Sequence, residues 1–420
     1  MKIGQFAKLN NTSIDTIRHY MSLGLILPEK AGNQYDFDEK CMSDYLEIQR
    51  LKQIGFTLSE IQHLMLYKKM GKMTGYRQRI SYMSYFENKR RQVAEELERL
   101  ESMKLQLASY IEEMKGMTES DEEIHSLPGV RMSTLDMLCC NKCKGNYNIE
   151  SGNIIKGELY EAVLRCGCGS ELFIEDGIIF GEGSIYDSER ACREEMSGSY
   201  SELYIDEYIN TTDINYLHKL QSGLEWSLRH IPFEKASDAT ALELGSGHGY
   251  FMRHALDLFP DSATYIAVDH DRVKMKWLRS VVEKNNPKCN VVFMCTDFEN
   301  IPLRDNTVDL LLDIAGSSNY AFENREFLLR RVDHLMKKGG YLHGSYILFK
   351  NFKSNSKIPR ELRVNFMLDH VKKEIENLNY SCTDEHVSST VVKGGPMEDY
   401  FVEGEEVYTY QYTGVKIEKP

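Results

Sequence analysis

The chain has 420 residues, 42% of them hydrophobic and 27% charged, with a net charge of −13. This is ordinary globular composition, with room for two to four domains. No run of about 18 apolar residues occurs, so no membrane helix and no membrane partner are expected. The opening MKIGQFAKLN lacks an apolar signal core, which points to a cytoplasmic location. In that setting the ten cysteines read as reduced thiols, with metal ligation as the alternative role. Charge is uneven: residues 1–118 hold 18 Lys and Arg against 15 Asp and Glu, and the remainder holds 33 against 49. Only the N-terminal part is electrostatically compatible with phosphate, and its small excess requires local placement of charge and doubling in a dimer.

Two short helices are predicted over Ile3–Leu9 and Ser13–Leu23, around the polar turn NNT. Ile3, Phe6, Ala7, Ile14, Ile17 and Leu23 supply a small core. Thr12 with Asp15 three residues on fits an N-terminal cap, and Gly24 stops the second helix. Two helices around a tight turn make a helix-turn-helix, whose second helix enters the major groove. Thr16, Arg18, His19 and Tyr20 lie on that helix as candidate DNA contacts, with Arg18 the phosphate ligand. Residues 28–37 read as a hairpin wing. A further helix starts at Asp38, and the next, TLSEIQHLM, carries a capping pair in Thr57 and Glu60.

In order and spacing, IGQFAKLNNTSIDTIRHYMSLGLILP followed by LKQIGFTLSEI resembles the DNA-binding head of the mercury-resistance regulator (MerR) family. The resemblance covers about residues 1–70, within a predicted domain over 1–72. It implies a winged helix-turn-helix acting as a homodimer on double-stranded, palindromic promoter DNA. The family's paired tyrosines after the arginine stand here as His19 and Tyr20, and its wing arginine is replaced by Gln34 and Asp36.

From Tyr76 to Lys115 the chain has neither proline nor glycine. Val93, Leu97, Leu100, Leu107, Ile111 and Met114 recur at three- and four-residue steps, interrupted at Arg90 and Lys104. The pattern predicts a long amphipathic helix over 76–116 with a coiled-coil seam. The polar remainder leaves little for a globular neighbour to cover, which favours pairing between two chains, and its position resembles the family's dimerisation helix. An acidic linker follows over 117–135.

Residues 136–182 form the next predicted module, small and strand-rich. Cys140 and Cys143 have C-x-x-C spacing, and Cys166 and Cys168 have C-x-C spacing. Two such knuckles supply four soft ligands for a tetrahedral zinc ion, with Cys139 a rival ligand; a metal-free hairpin with buried thiols fits equally well. The pattern C-x-x-C-K-G, L-x-C-x-C-G and I-x-D-G-I resembles the small zinc-ribbon domains that accompany tRNA and other methyltransferases.

The stretch ALELGSGHGYF then reads as a buried parallel strand, a turn with Gly245, Gly247 and Gly249, and a helix over FMRHALDLF. That unit alone also suits a dinucleotide. A second strand ends at Asp269, placed for ribose hydroxyls, and a third at Asp297, suited to an adenine amino group. VDLLLDIAGSSNY and LMKKGGYLHGSYIL give a fourth and a fifth. With Glu243 before the glycines, the series resembles the class I S-adenosylmethionine-dependent methyltransferases over roughly 213–350, inside an α/β doubly wound domain over 200–420. The resemblance implies S-adenosylmethionine as cofactor. Glu243, Gly245, Gly247 and Gly249 would surround its methionine part, Asp269 its ribose, and Asp297 with Phe298 its adenine. The acceptor motifs of amino-group DNA methylases and cytosine-C5 methylases are absent, and Cys289 and Cys295 read as strand-end thiols. Asp313, Ser317, Asn319 and Tyr320 would line the acceptor side, with Asp313 and Tyr320 the catalytic candidates; each is also an ordinary turn residue. His343 reads as a core histidine. The acceptor itself, a small molecule or RNA, is not named by the sequence. This order of parts reads as a dimeric transcriptional regulator whose methyltransferase-like domain binds the cofactor; the alternative is an active methyltransferase that controls its own promoter.

Overall fold

The computed structural model describes residues 1–32, 34–71, 75–116, 129–185, 200–285, 287–398 and 400–418. They form two compact units, one ending at Glu122 and the other starting at Glu123. Residues 117–128 of the expected acidic linker lie outside the described residues.

The first unit begins with α1 (Ile3–Leu9) and α2 (Ile14–Ser22). The α2 cap is Ser13, not Thr12: Ser13 is extended and its Oγ accepts the Thr16 N–H at 3.0 Å. Thr12 is still part of the turn, its own N–H donating to Ala7 O at 3.0 Å. Gly24, at φ 68°, ends the helix as expected, and the Leu25 N–H returns to Tyr20 O. Strands β1 (Glu29–Ala31) and β2 (Gln34–Asp36) pair antiparallel as the wing. Helix α3 (Glu39–Gln53) is capped by Asp38, and α4 (Leu58–Met70) by the reciprocal Thr57–Glu60 box. Phe6, Ala7, Ile17, Ile48, Ile61 and Leu64 are buried together, and Ile14, expected in this core, is exposed. Helix α5 (Gly75–Gly116) is continuous for 42 residues. Near its start it packs on the head through Tyr82 and Phe86, and the Lys89 ammonium pairs with Glu60 at 2.7 Å. Beyond that, Val93, Leu97, Leu100, Leu107, Ile111 and Met114 are all exposed, Leu97 at 58%.

In the second unit the described strands form one twelve-stranded sheet. After β3 (Val130–Arg131) and the turn α6 (Met132–Leu135) come β4 (Tyr147–Ile155), β5 (Glu158–Cys166), β6 (Glu171–Glu175) and β7 (Ile178–Phe180), paired antiparallel. Helices α7 (Tyr200–Thr211) and α8 (Ile214–His230) lead to β8 (Thr240–Leu244), a short helical turn α9 (Met252–Ala255), β9 (Thr264–Asp269), α10 (Arg272–Lys284) and β10 (Asn290–Cys295). β11 (Val308–Ile314), α11 (Gly316–Ala321), α12 (Leu329–Val332), β12 (Met336–Phe349), α13 (Leu368–Asn377), β13 (Tyr380–Val387) and β14 (Val407–Lys416) complete it.

The strand order is β13-β14-β12-β11-β8-β9-β10-β7-β6-β5-β3, with β4 on β5. β10, β9, β8, β11 and β12 are parallel, and β14 is antiparallel between β12 and β13. The mixed sheet with its helices is that of a class I methyltransferase. Two features differ from the sequence reading. The cysteine segment is not a module apart, because β7 pairs parallel with β10 and Phe293 lies opposite Ile178. One buried cluster likewise runs from Cys140 and Leu164 through Leu244 and Val268 to Leu342. The helix expected over 251–259 is only α9 and one 3-10 turn, Leu256–Leu258.

Candidate functional site

From β8 the chain proceeds outward to β9 and β10, then returns to place β11 on the other side of β8. A crevice opens at such a switch point, outside the carboxyl ends of the strands. The glycine turn follows β8 at this point. Gly245, Gly247 and Gly249 have φ of 72°, 54° and 68°. A side chain on Gly249 would run into Leu278 of α10, so glycine is what lets the turn sit on that helix.

Asp269, the last residue of β9, is buried, and its carboxylate braces the turn. Oδ2 accepts the Gly247 N–H at 2.9 Å, and Oδ1 accepts the Asp271 N–H at 2.9 Å. Glu243 is buried one strand over, with the Tyr265 hydroxyl donating to it at 3.0 Å. Burial pushes its carboxyl up to about 7. Asp297 follows β10, caps the turn Phe298–Asn300 through the Asn300 N–H at 2.9 Å, and stands half-buried beside Phe298. Registers Leu244–Val268 and Asp269–Cys295 bring the three strand ends level. The turn, Asp269 and the Asp297–Phe298 pair thus stand side by side at the carboxyl ends of these strands, where they offer backbone curvature, a carboxylate and an aromatic face.

A fourth wall comes from the residues that follow β7 at the tail of the cysteine segment. The Asp297 N–H and the Thr296 hydroxyl both donate to Glu182 O, at 3.3 and 2.7 Å, and the Gly181 N–H donates to Cys295 O. The only sequence signal was the glycine pair around Glu182 after an apolar strand. The sequence reading also left out the ring contacts of His248, which stacks on Tyr204 of α7 at 4.8 Å and meets the Trp277 ring edge-on at 5.4 Å.

The acceptor-side candidates separate. Asp313 is fully buried; its Oδ1 accepts the Ser317 N–H at 2.7 Å, and burial raises its carboxyl to about 6. Through Oδ1 it holds the start of α11, while among the described residues its buried Oδ2 has no hydrogen-bond partner. Ser317 is buried with it, and Asn319 is exposed. Tyr320 is half-buried, packs against Phe298 at 6.3 Å between centroids, and donates to Glu299 at 3.1 Å. His343 is buried, with Nδ1 2.8 Å from Thr413 Oγ1. Cys289 and Cys295 are buried thiols pushed up to about 11 and about 12 by burial, unsuited to nucleophilic work.

Cys140, Cys143, Cys166 and Cys168 come together with all four Sγ atoms within 4.8 Å of one another. Tetrahedral zinc with Zn–S near 2.3 Å needs sulfurs roughly 3.8 Å apart. The pairs Cys143–Cys166 at 3.3 Å and Cys140–Cys168 at 3.6 Å are close to that spacing, so the donor set fits a zinc ion. Cys139 is outside the set; its backbone N–H reaches Pro302 O.

On the head, Arg18 and His19 are exposed and Thr16 is half-buried, its hydroxyl 2.8 Å from the capping Ser13 Oγ. Among the described residues Arg18 pairs only with Asp15 on its own helix, at 3.2 Å. Tyr20 faces the other way. Its ring is buried and its hydroxyl accepts from Gln49 and Lys52 at 3.5 and 3.4 Å, so it is a core residue and not a base contact.

Comparison with known families agrees with this division. Residues 1–68 match the model of the MerR HTH family regulatory protein, residues 47–110 that of MerR, DNA binding, and residues 241–340 that of a methyltransferase domain. The chain joins a MerR-type DNA-binding head to a methyltransferase domain. No curated protein matches it. Solved structures similar to it include a putative methyltransferase from Bacillus halodurans, 13% identical over 47% of this chain and 100% of that one, at a TM-score of 0.36. A SAM-dependent methyltransferase from Aquifex aeolicus is 19% identical over 46% and 89%, at 0.32. An arsenic(III) S-adenosylmethionine methyltransferase from Chlamydomonas reinhardtii is 15% identical over 47% and 74%, at 0.34. A methyltransferase domain implies S-adenosylmethionine, and the MerR-type head implies DNA. Among the described residues no helix is long and apolar enough to cross a membrane.

Proposed function

We propose that this chain is a dimeric transcriptional regulator whose methyltransferase domain binds S-adenosylmethionine as its effector. The observation that carries the reading is the crevice at the switch point, built on the same chain as a DNA-reading head. Glu243 and the three glycines would surround the methionine part, Asp269 would take the ribose hydroxyls, and Asp297 with Phe298 would hold the adenine. When bound, the cofactor supplies a methyl group already activated by its sulfonium. This chain's own residues then orient it: the Asp269 carboxylate is fixed by two backbone N–H donors, and the Asp297 carboxylate by Asn300. The exposed seam of α5 supports pairing of two chains, which would set two heads on a palindromic site.

The second reading is catalysis on a small-molecule or RNA acceptor by a protein that controls its own promoter. Titration calorimetry of the full chain with S-adenosylmethionine tests the binding claim. Incubation of the complex with fractionated cell extract, followed for S-adenosylhomocysteine, separates the two readings. Saturable binding without turnover supports the sensor, steady turnover supports the enzyme, and absence of binding removes both.

A further inference from the structure

An open cleft of about 580 Å³ lies between the first half of α8 and the segment after β13. Its volume is that of a small-molecule site. β13 runs in the same sense as β12, since both are antiparallel to β14. The cleft therefore opens at the edge of the sheet where the parallel strands also end. It shares no lining residue with the glycine turn, Asp269 or Asp297.

Lys219 is the unusual member of this cleft. It is 4% exposed, lines the cavity, and among the described residues its Nζ has no hydrogen-bond partner. The face of the Tyr216 ring, 4.2 Å from Nζ, and the more distant charge of Glu398 compensate it in part. No described carboxylate lies within ion-pair distance. An ammonium held this way is costly unless something satisfies it, and burial holds Lys219 down to about 8. Lys393 adds a second cation to the lining and Ser389 a hydroxyl, while the Thr390 hydroxyl is engaged with the Glu406 carboxylate. The acidic side chain in the lining, Asp213, is engaged at the start of α8, accepting the Asn215 N–H at 3.0 Å. His218 and His386 add two imidazole rings to the wall.

We propose that this cleft binds a small organic molecule through an oxyanion, carboxylate or phosphate, that accepts from the Lys219 ammonium, with Lys393 and the Ser389 hydroxyl around it. The site stands apart from the cofactor crevice and does not depend on it. Helix α7 lies between the two sites without lining the cleft: the Tyr208 hydroxyl donates to Glu398, whose charge acts on Lys219, and Tyr204 stacks on His248 of the glycine turn.

The test uses the full chain carrying 13C-labelled lysine. The Lys219 resonance is assigned by its loss in Lys219→Met or Lys219→Arg. Inorganic phosphate and acetate are then titrated in separately, which distinguishes the two oxyanions. Occupancy by either should move the Lys219 titration upward saturably, and Lys219→Met should weaken that probe's binding roughly tenfold or more, as loss of a charge-assisted hydrogen bond does. Cofactor binding by the same variant should be retained, which separates this site from the cofactor reading. A Lys219 titration unmoved by both probes overturns the proposal, as does equal probe affinity in a folded Lys219→Met. If that variant does not fold, Lys393→Gln decides, with a several-fold loss of probe affinity supporting the site and unchanged affinity overturning it.

Discussion

Gly183 and Asp297 are in such close contact that a Cβ on Gly183 would fall within the Asp297 carboxylate. Gly183 also has φ 78°, so glycine is required there twice over. The segment after the cysteine strands thereby fixes the residue proposed to face the adenine.

Gly183→Ala should displace Asp297 and weaken S-adenosylmethionine binding by about 1.5–3 kcal/mol, the range for a hydrogen bond to a charged group. Calorimetric titration of the variant measures it. An affinity equal to that of the parent chain would remove Asp297 from the adenine side.

The cysteine cluster is tied to the same wall. The Cys139 N–H donates to Pro302 O at 2.9 Å, and the Asn141 side chain donates to Asn300 O at 2.8 Å. Cys166→Ser should abolish binding of about one zinc per chain, as elemental analysis reads it, and lower the melting temperature, since a structural metal contributes directly to folding. Cofactor affinity should fall with it. Metal-free parent protein with unchanged melting would identify the cluster as a plain thiol hairpin.

Glu243 makes stability depend on pH. Its folded carboxyl titrates at about 7 against an ordinary 4.5, because burial disfavours the charge. Its contribution is therefore fully present below about 4.5 and is lost as pH rises through 7. Glu243→Gln should flatten this part of the denaturation profile by roughly 3 kcal/mol between those limits. Some slope of the same sign should remain from Asp313, raised in the same way. A parent chain whose stability rises steadily from pH 4.5 to 7 would contradict the burial of a neutral Glu243.

Much of this was legible in the sequence because it is local. The Thr57–Glu60 box, the stop at Gly24, the 42-residue helix and the glycine turn each follow from a few adjacent residues. The Thr12 cap failed by one residue, since Thr12, Ser13, Asn10 and Asn11 all suit a turn and only the backbone path selects Ser13. Tyr20 was misplaced because helical spacing does not say which face the rest of the head will cover. The joining of β7 to β10, and with it the role of Gly183, is a pairing between segments more than 100 residues apart, which no local pattern encodes. Asp313 suits the acceptor side because strand-end acids face such crevices, and the contact of its Oδ1 with the Ser317 N–H is a backbone detail that no local pattern encodes.

The exposed seam of α5 should be the dimer contact. Replacing Leu97 and Leu100 with glutamate removes two side chains each worth about 1.5–3 kcal/mol when buried and places like charges opposite one another. Analytical ultracentrifugation should show monomers, with loss of DNA binding. Persistent dimers would move the interface elsewhere.

The central claim is that cofactor in the crevice is felt by the DNA-binding head. The decisive measurement is the affinity of the full chain for a DNA site selected from a random pool, with and without saturating S-adenosylmethionine, for the parent chain and Asp269→Ala. The account predicts a change of roughly fivefold or more in the parent chain, the usual scale of coupling between two sites, and none in the variant. Identical DNA affinity in the presence and absence of the cofactor would contradict it.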